Sequence, residues 1–422
     1  MSIKQDQKSV KGMACIWPVE VPKWRYVEAI LLQALQAYDF TEIRLPLVTV
    51  KTLLEQTMES STIVTKEMFT FSPPAEHLVL RPEGTAMCVA LMIQHGFLRH
   101  QQPLKLWYYG PMFRYEQPQK GRLRQFHQLG IESFNTVAHI QELDVIALTW
   151  FIWQQLQLHH HLTLEINNIG TSAERALYLQ DLVAFFKQCD LNQEQQATLA
   201  QNPLRLLETK DPLLQAQLHT VPLINAYYTI AQQAELDQLH VHVSSLGIPV
   251  HINHLLVRGL DYYTGNVFEW RIRDVLGAQD TLCAGGRYDG LFQALKSQKS
   301  VKAFGCAFGI ERILLALEAL HLLPQQPRPW TVYLFSDEAS AALAVKLRAE
   351  ISRYCAHAQV ILNWQARSMK AHFDKGIYVK AKIMIQLAAG QLSYTYPTQK
   401  EFQLIAYQDL ITLIESSYSS YE

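Results

Sequence analysis

The sequence predicts an α+β fold in two parts. A large β-rich unit spans residues 1–323 and carries a mostly helical insertion at about 170–247, and a small α/β unit follows at 331–422. Three observations predict this. Residues 104–134 read as two strands joined by a basic, Gly-containing loop. From about 170 to 247 Gln becomes abundant and Gly nearly vanishes. After the Pro-rich linker PQQPRPW at 324–330, apolar strands alternate with a helical pattern. A chain of 422 residues is long enough for a sizeable core in each unit.

Taken in order, Trp24, Val27, Ile30, Leu31, Ala34 and Tyr38 recur at helical spacing, which predicts a helix over 21–39. TEIRLPLV then predicts a strand, placed at a sheet edge or interface because Pro46 cannot donate to a ladder. MFTF and LVL predict short strands, and Pro82-Glu83-Gly84 a turn before a helix starting near Thr85. A second helix is predicted at 142–157, and the insertion opens on a Thr171/Glu174 capping box. Strands resume with PVHINHLLVRGLDYYTGNVFEWRI, TLCAGGRYDGL and AFGCAFG, the last running into a helix. VYLFS, a helix near 338–355, QVILNW and KIMIQLA complete the second unit.

Composition narrows the function classes. At 49% apolar and 18% charged residues the chain is an ordinary globular protein. A net charge of −1 means that any nucleic-acid binding comes from local patches such as Lys120, Arg122 and Arg124. The six cysteines are scattered without a CxxC pair, which suits a reducing compartment and neither a disulfide framework nor a zinc site. MSIKQDQKSVKG lacks the apolar core of a signal peptide, and no apolar run would span a bilayer. The expectation is a cytoplasmic protein without membrane partners. His159-His160-His161 leads into a strand, where alternation keeps three ligands from converging, so a turn or strand edge is expected. His251 and His254 are expected to face opposite ways in a strand.

The hairpin is richest in chemistry. Arg114 and Glu116 lie two apart and would share a strand face, as would Phe126, Gln128 and Glu132 on the return strand. Cations, an aromatic plate, an amide and carboxylates on one side suit a polyanion beside a small molecule. A folding-only sequence would place Val, Leu or Ile at most of these positions. Taken singly, each residue also has a plainer reading. Arg258 could be a strand arginine paired to an acid, Phe126 and Tyr262-Tyr263 core packing, and Lys120-Arg122-Arg124 a solvated loop.

Four segments in this order, RPEGTA (81–86), the hairpin, VRGLDYYTGNVFE (257–269) with AGGRYDGL (284–291), and FGCAFGIER (304–312), resemble class II aminoacyl-tRNA synthetases. Within that class they resemble the histidyl-tRNA synthetase family. The resemblance covers essentially the whole chain and implies histidine and ATP as substrates, Mg²⁺, histidine tRNA as acceptor, and a homodimer through the helix and strand at 21–48. It also implies an antiparallel catalytic sheet of six or seven strands and a C-terminal anticodon-binding domain.

The resemblance also assigns roles. Arg114 and Arg258 are implied as the catalytic pair at the α-phosphate. Bringing a carboxylate to a phosphate requires cations that stay charged and offer planar donors. Phe126 and Arg312 are implied to sandwich adenine, Glu116 to meet the base edge, and Arg122 to reach the terminal phosphates. Glu83, Thr85 and Gln128 are implied at the substrate ammonium, Glu132 and Tyr263 at the imidazole nitrogens, and Tyr262 and Tyr288 along the same pocket. Gln119 and Lys120 are implied at the tRNA acceptor end, and Glu311 as a metal-holding acid. No editing domain is evident, which suits a pocket that leaves an apolar isostere with unpaired polar groups.

Three departures from the family pattern stand out. Gln117 stands where an arginine is expected, KGMACIWPVE replaces an RGMxDxxP opening, and the chain after KIMIQLA is compressed. RSMKAHFDKG at 367–376 still resembles the segment approaching the anticodon. Two rival readings are a histidine-sensing regulatory paralogue that partners an ATP phosphoribosyltransferase, and a ligase adenylating some other acceptor.

Overall fold

The computed structural model describes residues 10–58, 61–73, 76–97, 102–209, 211–299, 301–324, 329–355, 358–365, 367–399 and 401–419. Most of the expected linker, 325–328, lies outside the described residues, as does the start of MSIKQDQKSVKG. The chain divides into two compact units, Met1–Leu323 and Pro324–Glu422.

The first unit begins with α1 (Val21–Ala37), β1 (Thr41–Glu42), β2 (Val48–Val50), α2 (Lys51–Met58), β3 (Thr70–Phe71), β4 (Leu78–Leu80) and α3 (Thr85–Gln94). Next come the hairpin β5 (Leu104–Phe113) and β6 (Gln125–Phe134), then α4 (Ala138–Gln155) and β7 (Leu162–Asn168). The insertion supplies α5 (Ser172–Phe186), α6 (Gln193–Gln201), α7 (Pro212–Gln215) and α8 (Ile230–Ser245). The unit ends with β8 (Val250–Ile252), β9 (Asn266–Ile272), β10 (Thr281–Arg287), α9 (Leu291–Ala294), β11 (Ala303–Gly309) and α10 (Ile310–Ala319).

Its eight-stranded sheet has the order β1-β5-β6-β11-β10-β9-β7-β8. The six central strands pair antiparallel, and the short β1 and β8 pair parallel at the edges. Six antiparallel strands match the expected catalytic sheet, and the parallel edges are additions to it. Alternation sorts the strand residues between faces. Trp107, Ile131, Trp270 and Phe308 pack with Val27, Ile152 and Ile313 of α1, α4 and α10. Tyr108, Phe134, Val267 and Ala303 join the opposite layer with α3 and the insertion. The Trp270 indole also donates to Thr149 Oγ1 at 2.7 Å, which locks α4 onto the sheet. The capping box at α5 forms, with the Thr171 amide donating to Glu174 at 2.7 Å.

Several local expectations shift. The strand expected through Pro46 is broken into β1 and β2, with the proline between them. There the Leu45 carbonyl accepts from the buried Arg81 guanidinium at 2.8 Å, which replaces ladder bonds that a proline interrupts. Arg114 and Glu116 lie beyond the end of β5, so loop geometry and not strand parity brings them together. His159–His161 form a 3₁₀ turn before β7, consistent with a turn and not a ligand set. His254 falls past the end of β8, and it lines the same surface depression as His251, contrary to the expected opposite facing.

The second unit contains β12 (Thr331–Ser336), α11 (Ala341–Tyr354), β13 (Gln359–Asn363), α12 (Met369–Tyr378), β14 (Ile383–Ala388), β15 (Gln391–Thr395), β16 (Gln403–Leu404) and α13 (Tyr407–Ser419). Its sheet order is β13-β12-β14-β15-β16, parallel through β14 and antiparallel after it. The hairpin after KIMIQLA turns on Ala389 and Gly390, both at positive φ (50° and 76°). That is the two-residue connection whose twist matches flanking strands.

Candidate active site

The site grows from the face of the sheet opposite α1 and α4. Three glycines make room for it. A Cβ at Gly84 or Gly130 would fall 2.3 or 2.1 Å from the Tyr108 ring, and one at Gly305 would fall 2.0 Å from Glu132 Oε2. Each distance is below any tolerable contact, so the ring and carboxylate lie flush against bare backbone. Gly130→Ala is therefore expected to push Tyr108 aside, at an overpacking cost of about 1–3 kcal/mol. A lowered Tm would show this, and an unchanged Tm would refute it.

Glu132 sits at the base of the site, 1% exposed. It accepts from Thr85 Oγ1 at 2.7 Å, Tyr108 OH at 3.0 Å and the Tyr288 hydroxyl. Burial raises its pKa to about 7 although the three hydroxyls pull it down. Glu83 accepts the Thr85 and Ala86 amides at 2.7 and 3.0 Å at the start of α3. Burial still raises its pKa against those amides. Tyr262 reaches Glu83 at 3.5 Å, and the Tyr262, Tyr263 and Tyr288 rings pack on one another.

Above this pocket opens a cleft of about 340 Å³. Five arginines and five glutamates are among its described lining residues, so their formal charges balance. Arg258 pairs with Glu269, and its guanidinium lies 5.7 Å from the Tyr263 ring centre. Burial is the largest influence and opposes the Arg258 charge, yet Glu269, Tyr263, Glu208 and Tyr262 together outweigh it and the pKa rises. Arg122 pairs with Glu116. Arg114 donates to the Pro82 carbonyl at 3.0 Å and lies 5.2 Å from the centre of the Phe126 ring. Arg312 donates to the Gly121 and Thr281 carbonyls, each at 2.9 Å, and to Gln279 Oε1 at 2.7 Å. Burial, then Arg114 and Arg122, lower its pKa to about 10.

The structure thus gathers Thr85, Arg114, Glu116, Arg122, Phe126, Gln128, Arg258, Tyr262, Tyr263, Glu311 and Arg312 around one cleft. Glu83, Glu132 and Tyr288 are not among the lining residues but lie buried behind it, Glu83 bonded to Tyr262 and Glu132 to Thr85 and Tyr288. Arg114, and not Arg312, lies over Phe126. Gln119 and Lys120 stand apart at an exposed tip, closed by paired Gln119–Arg122 backbone bonds of 2.9 Å with Gly121 at φ 74°. Arg122 and Arg124 are partly exposed, as the plainer reading has them, but each has a partner within the protein. The Arg124 guanidinium lies 3.9 Å from the centre of the Tyr115 ring and donates to the Glu116 carbonyl.

Sequence reasoning missed Tyr108, Glu67, Glu269 and the insertion residues Arg175 and Arg205. Glu269 was legible as the last letter of VRGLDYYTGNVFE, three residues after Asn266 and facing the arginine of the same segment. Arg175 donates to the Tyr263 carbonyl at 2.7 Å, so α5 braces the tyrosine loop. Nothing local marks that contact. AGGRYDGL is partly architectural: Arg287 is buried against Glu142 of α4 at 2.7 and 2.9 Å.

Glu311 borders the cleft with both oxygens 2.9 Å from the His127 amide, and no group of three or more His, Cys, Asp or Glu residues among the described residues is arranged to hold a metal ion. One carboxylate still suits Mg²⁺, which keeps its waters and binds mainly through substrate phosphates.

An antiparallel sheet whose hairpin loop and strand–helix junction converge arginines over a buried carboxylate is the core of a class II aminoacyl-tRNA synthetase. The model of the histidyl-tRNA synthetase family matches residues 12–313, and the chain belongs to that family. It is 46% identical over 342 residues to a histidine–tRNA ligase of Psychrobacter sp. (strain PRwf-1), covering 76% of this chain and 78% of that one. It is similar to the crystal structure of apo S. aureus histidyl-tRNA synthetase, with 30% identity, a TM-score of 0.75, and 97% and 99% of the two chains covered. The fold is also like that of an ATP phosphoribosyltransferase regulatory subunit/histidyl-tRNA synthetase from Bacillus halodurans C, at 20% identity, TM-score 0.66, and 92% and 100% coverage.

Proposed function

We propose that the chain is a histidine–tRNA ligase. It joins histidine to ATP as histidyl-adenylate, releasing pyrophosphate, then passes the histidyl group to the 3′-terminal adenosine of histidine tRNA. The observation that carries this is the buried Glu132, ringed by hydroxyls, beneath an arginine-lined cleft.

The positions support the following chemistry. Arg114 and Arg258 neutralise the histidine carboxylate and the α-phosphate, and donate most strongly as charge moves onto the leaving pyrophosphate. A triphosphate competes with Glu269 and Glu116 for Arg258 and Arg122, so binding exchanges internal ion pairs for phosphate pairs. Adenine stacks on Phe126, displacing Arg114 towards the phosphates, with Arg312 behind it and Glu116 at the base edge. Glu83, Thr85 and Gln128 take the substrate ammonium. Glu132 and Tyr263 take the imidazole nitrogens, with Tyr262 and Tyr288 closing the pocket. Mg²⁺ arriving with the nucleotide shields the pyrophosphate charge, with Glu311 as its protein ligand.

Gln119 and Lys120, exposed at the hairpin tip, meet the tRNA acceptor end. The second unit binds the anticodon arm, its exposed Trp364, Met369 and Tyr378 offering faces for unstacked bases. A symmetric homodimer covers the exposed Leu47, Val48, Val50 and Phe71 around the small sheet β2-β4-β3. The enzyme acts in the cytoplasm with no membrane partner. No helix among the described residues is long and apolar enough to cross a membrane.

ATP–pyrophosphate exchange dependent on histidine, followed by charging of histidine tRNA, is the expected result. Histidine binding without exchange would instead favour the regulatory reading, and exchange without tRNA charging another acceptor.

A further inference from the structure

The 3₁₀ segment Pro203–Glu208 of the insertion reaches the cleft, held in place by Leu206 and Leu207, which are 3% and 6% exposed. It delivers Arg205 to the lining. We propose that Arg205 binds the pyrophosphate end of the nucleotide, making the insertion part of the ATP site. This rests on the ligase reading above.

Position is the first argument. A Cβ built at Gly259 would lie 3.4 Å from Arg205 Nη2, so the guanidinium abuts the backbone next to Arg258. Its charge is also felt by Arg122, whose pKa burial lowers first and Arg114 and Arg205 lower further. Arg205 therefore lies beside the arginine placed at the α-phosphate and within electrostatic reach of the one placed at the terminal phosphates.

Hydrogen bonding is the second argument. Arg122 and Arg258 have carboxylate partners, while Arg114 and Arg312 donate to carbonyls or an amide. Arg205 Nε is buried with no hydrogen-bond partner among the described residues, as is Arg258 Nε, though Arg258 keeps its Nη1 bond to Glu269. A desolvated donor on a cation is costly to leave unpaired, and phosphate oxygens would satisfy it. Glu208, on the same segment, also lines the cleft and acts on Arg122 and Arg258, so Arg205 offsets a local acid as well.

Arg205→Met keeps the aliphatic stem and removes the charge, and Arg205→Lys keeps the charge without the fork. In histidine-dependent exchange by the full-length chain, Arg205→Met should raise KM for ATP and for pyrophosphate about tenfold or more. Its histidine KM should stay within about twofold, and Arg205→Lys should recover part of the loss. Unchanged ATP and pyrophosphate KM values in a variant with wild-type Tm would overturn the proposal. A rise in tRNA KM alone would also overturn it, by moving the phosphate contact to the acceptor strand. If Arg205→Met does not fold, Arg205→Lys carries the same test, since a point charge should weaken both nucleotide constants relative to a fork. Absence of exchange in the wild-type chain would instead sink the ligase reading.

Discussion

Arg258→Ala is expected to slow histidine-dependent ATP–pyrophosphate exchange by about 10²–10³-fold, the usual cost of losing one preorganised donor at a developing anion. The loss should fall on kcat more than on KM, because the guanidinium matters most as the leaving group gains charge. The structure adds a second effect. Arg258 is the partner of Glu269, which also accepts from Thr281 Oγ1 at 3.0 Å. Removing the cation strands a carboxylate that is 8% exposed, and such breaks are strongly destabilising. The two effects separate in the double variant Arg258→Ala/Glu269→Gln. Neutralising the stranded acid should restore Tm but leave exchange slow. Exchange that recovers with Tm would reduce Arg258 to a structural residue, and near-normal exchange in the single variant would remove the role altogether.

Glu132→Gln should cost histidine affinity and selectivity while sparing ATP. An amide keeps the volume but loses the charge that pairs with an imidazole N–H, and pockets built on such pairs discriminate by up to about 10⁴-fold. An unchanged histidine KM would count against the pocket. The pH dependence has a definite sign. The folded pKa of Glu132, about 7, lies above the ordinary carboxyl value of 4.5. Between these two the folded chain holds a proton that the unfolded chain has lost, so this group costs stability as pH rises through that window. Glu132→Gln removes the cost, so its Tm relative to wild type should climb from pH 4.5 towards 7 and then level off. A flat difference would show that Glu132 titrates normally. Histidine binding by wild type should tighten as pH rises through about 7, where the carboxylate forms.

Much of this site was legible because motif order and residue chemistry travel together. Phe126, Gln128 and Glu132 share strand parity, and β6 is regular enough to carry all three to one face. Parity failed for Arg114 and Glu116 because β5 ends at Phe113: the Arg114 amide still meets the Arg124 carbonyl at 2.9 Å, but the Glu116 amide turns back to the Arg114 carbonyl at 2.8 Å. The strand through Pro46 failed because a buried arginine from 36 residues away takes the carbonyl there. Tyr108 reads as one more apolar strand residue until the glycines against its ring are seen together.

The amino-acid order alone determined which chemical groups exist to meet a phosphate or an imidazole, and which of them sit on a strand, a turn or a helix start. Short-range periodicity and turn chemistry suffice for that, since they act over a few residues. The tertiary structure decided the pairings: Arg258 with Glu269, Arg122 with Glu116, Glu132 with three hydroxyls, and Arg205 brought in from the insertion. These contacts join loops whose backbone no local preference sets. Only the packed sheet, by excluding water around each charge, selects among the available partners.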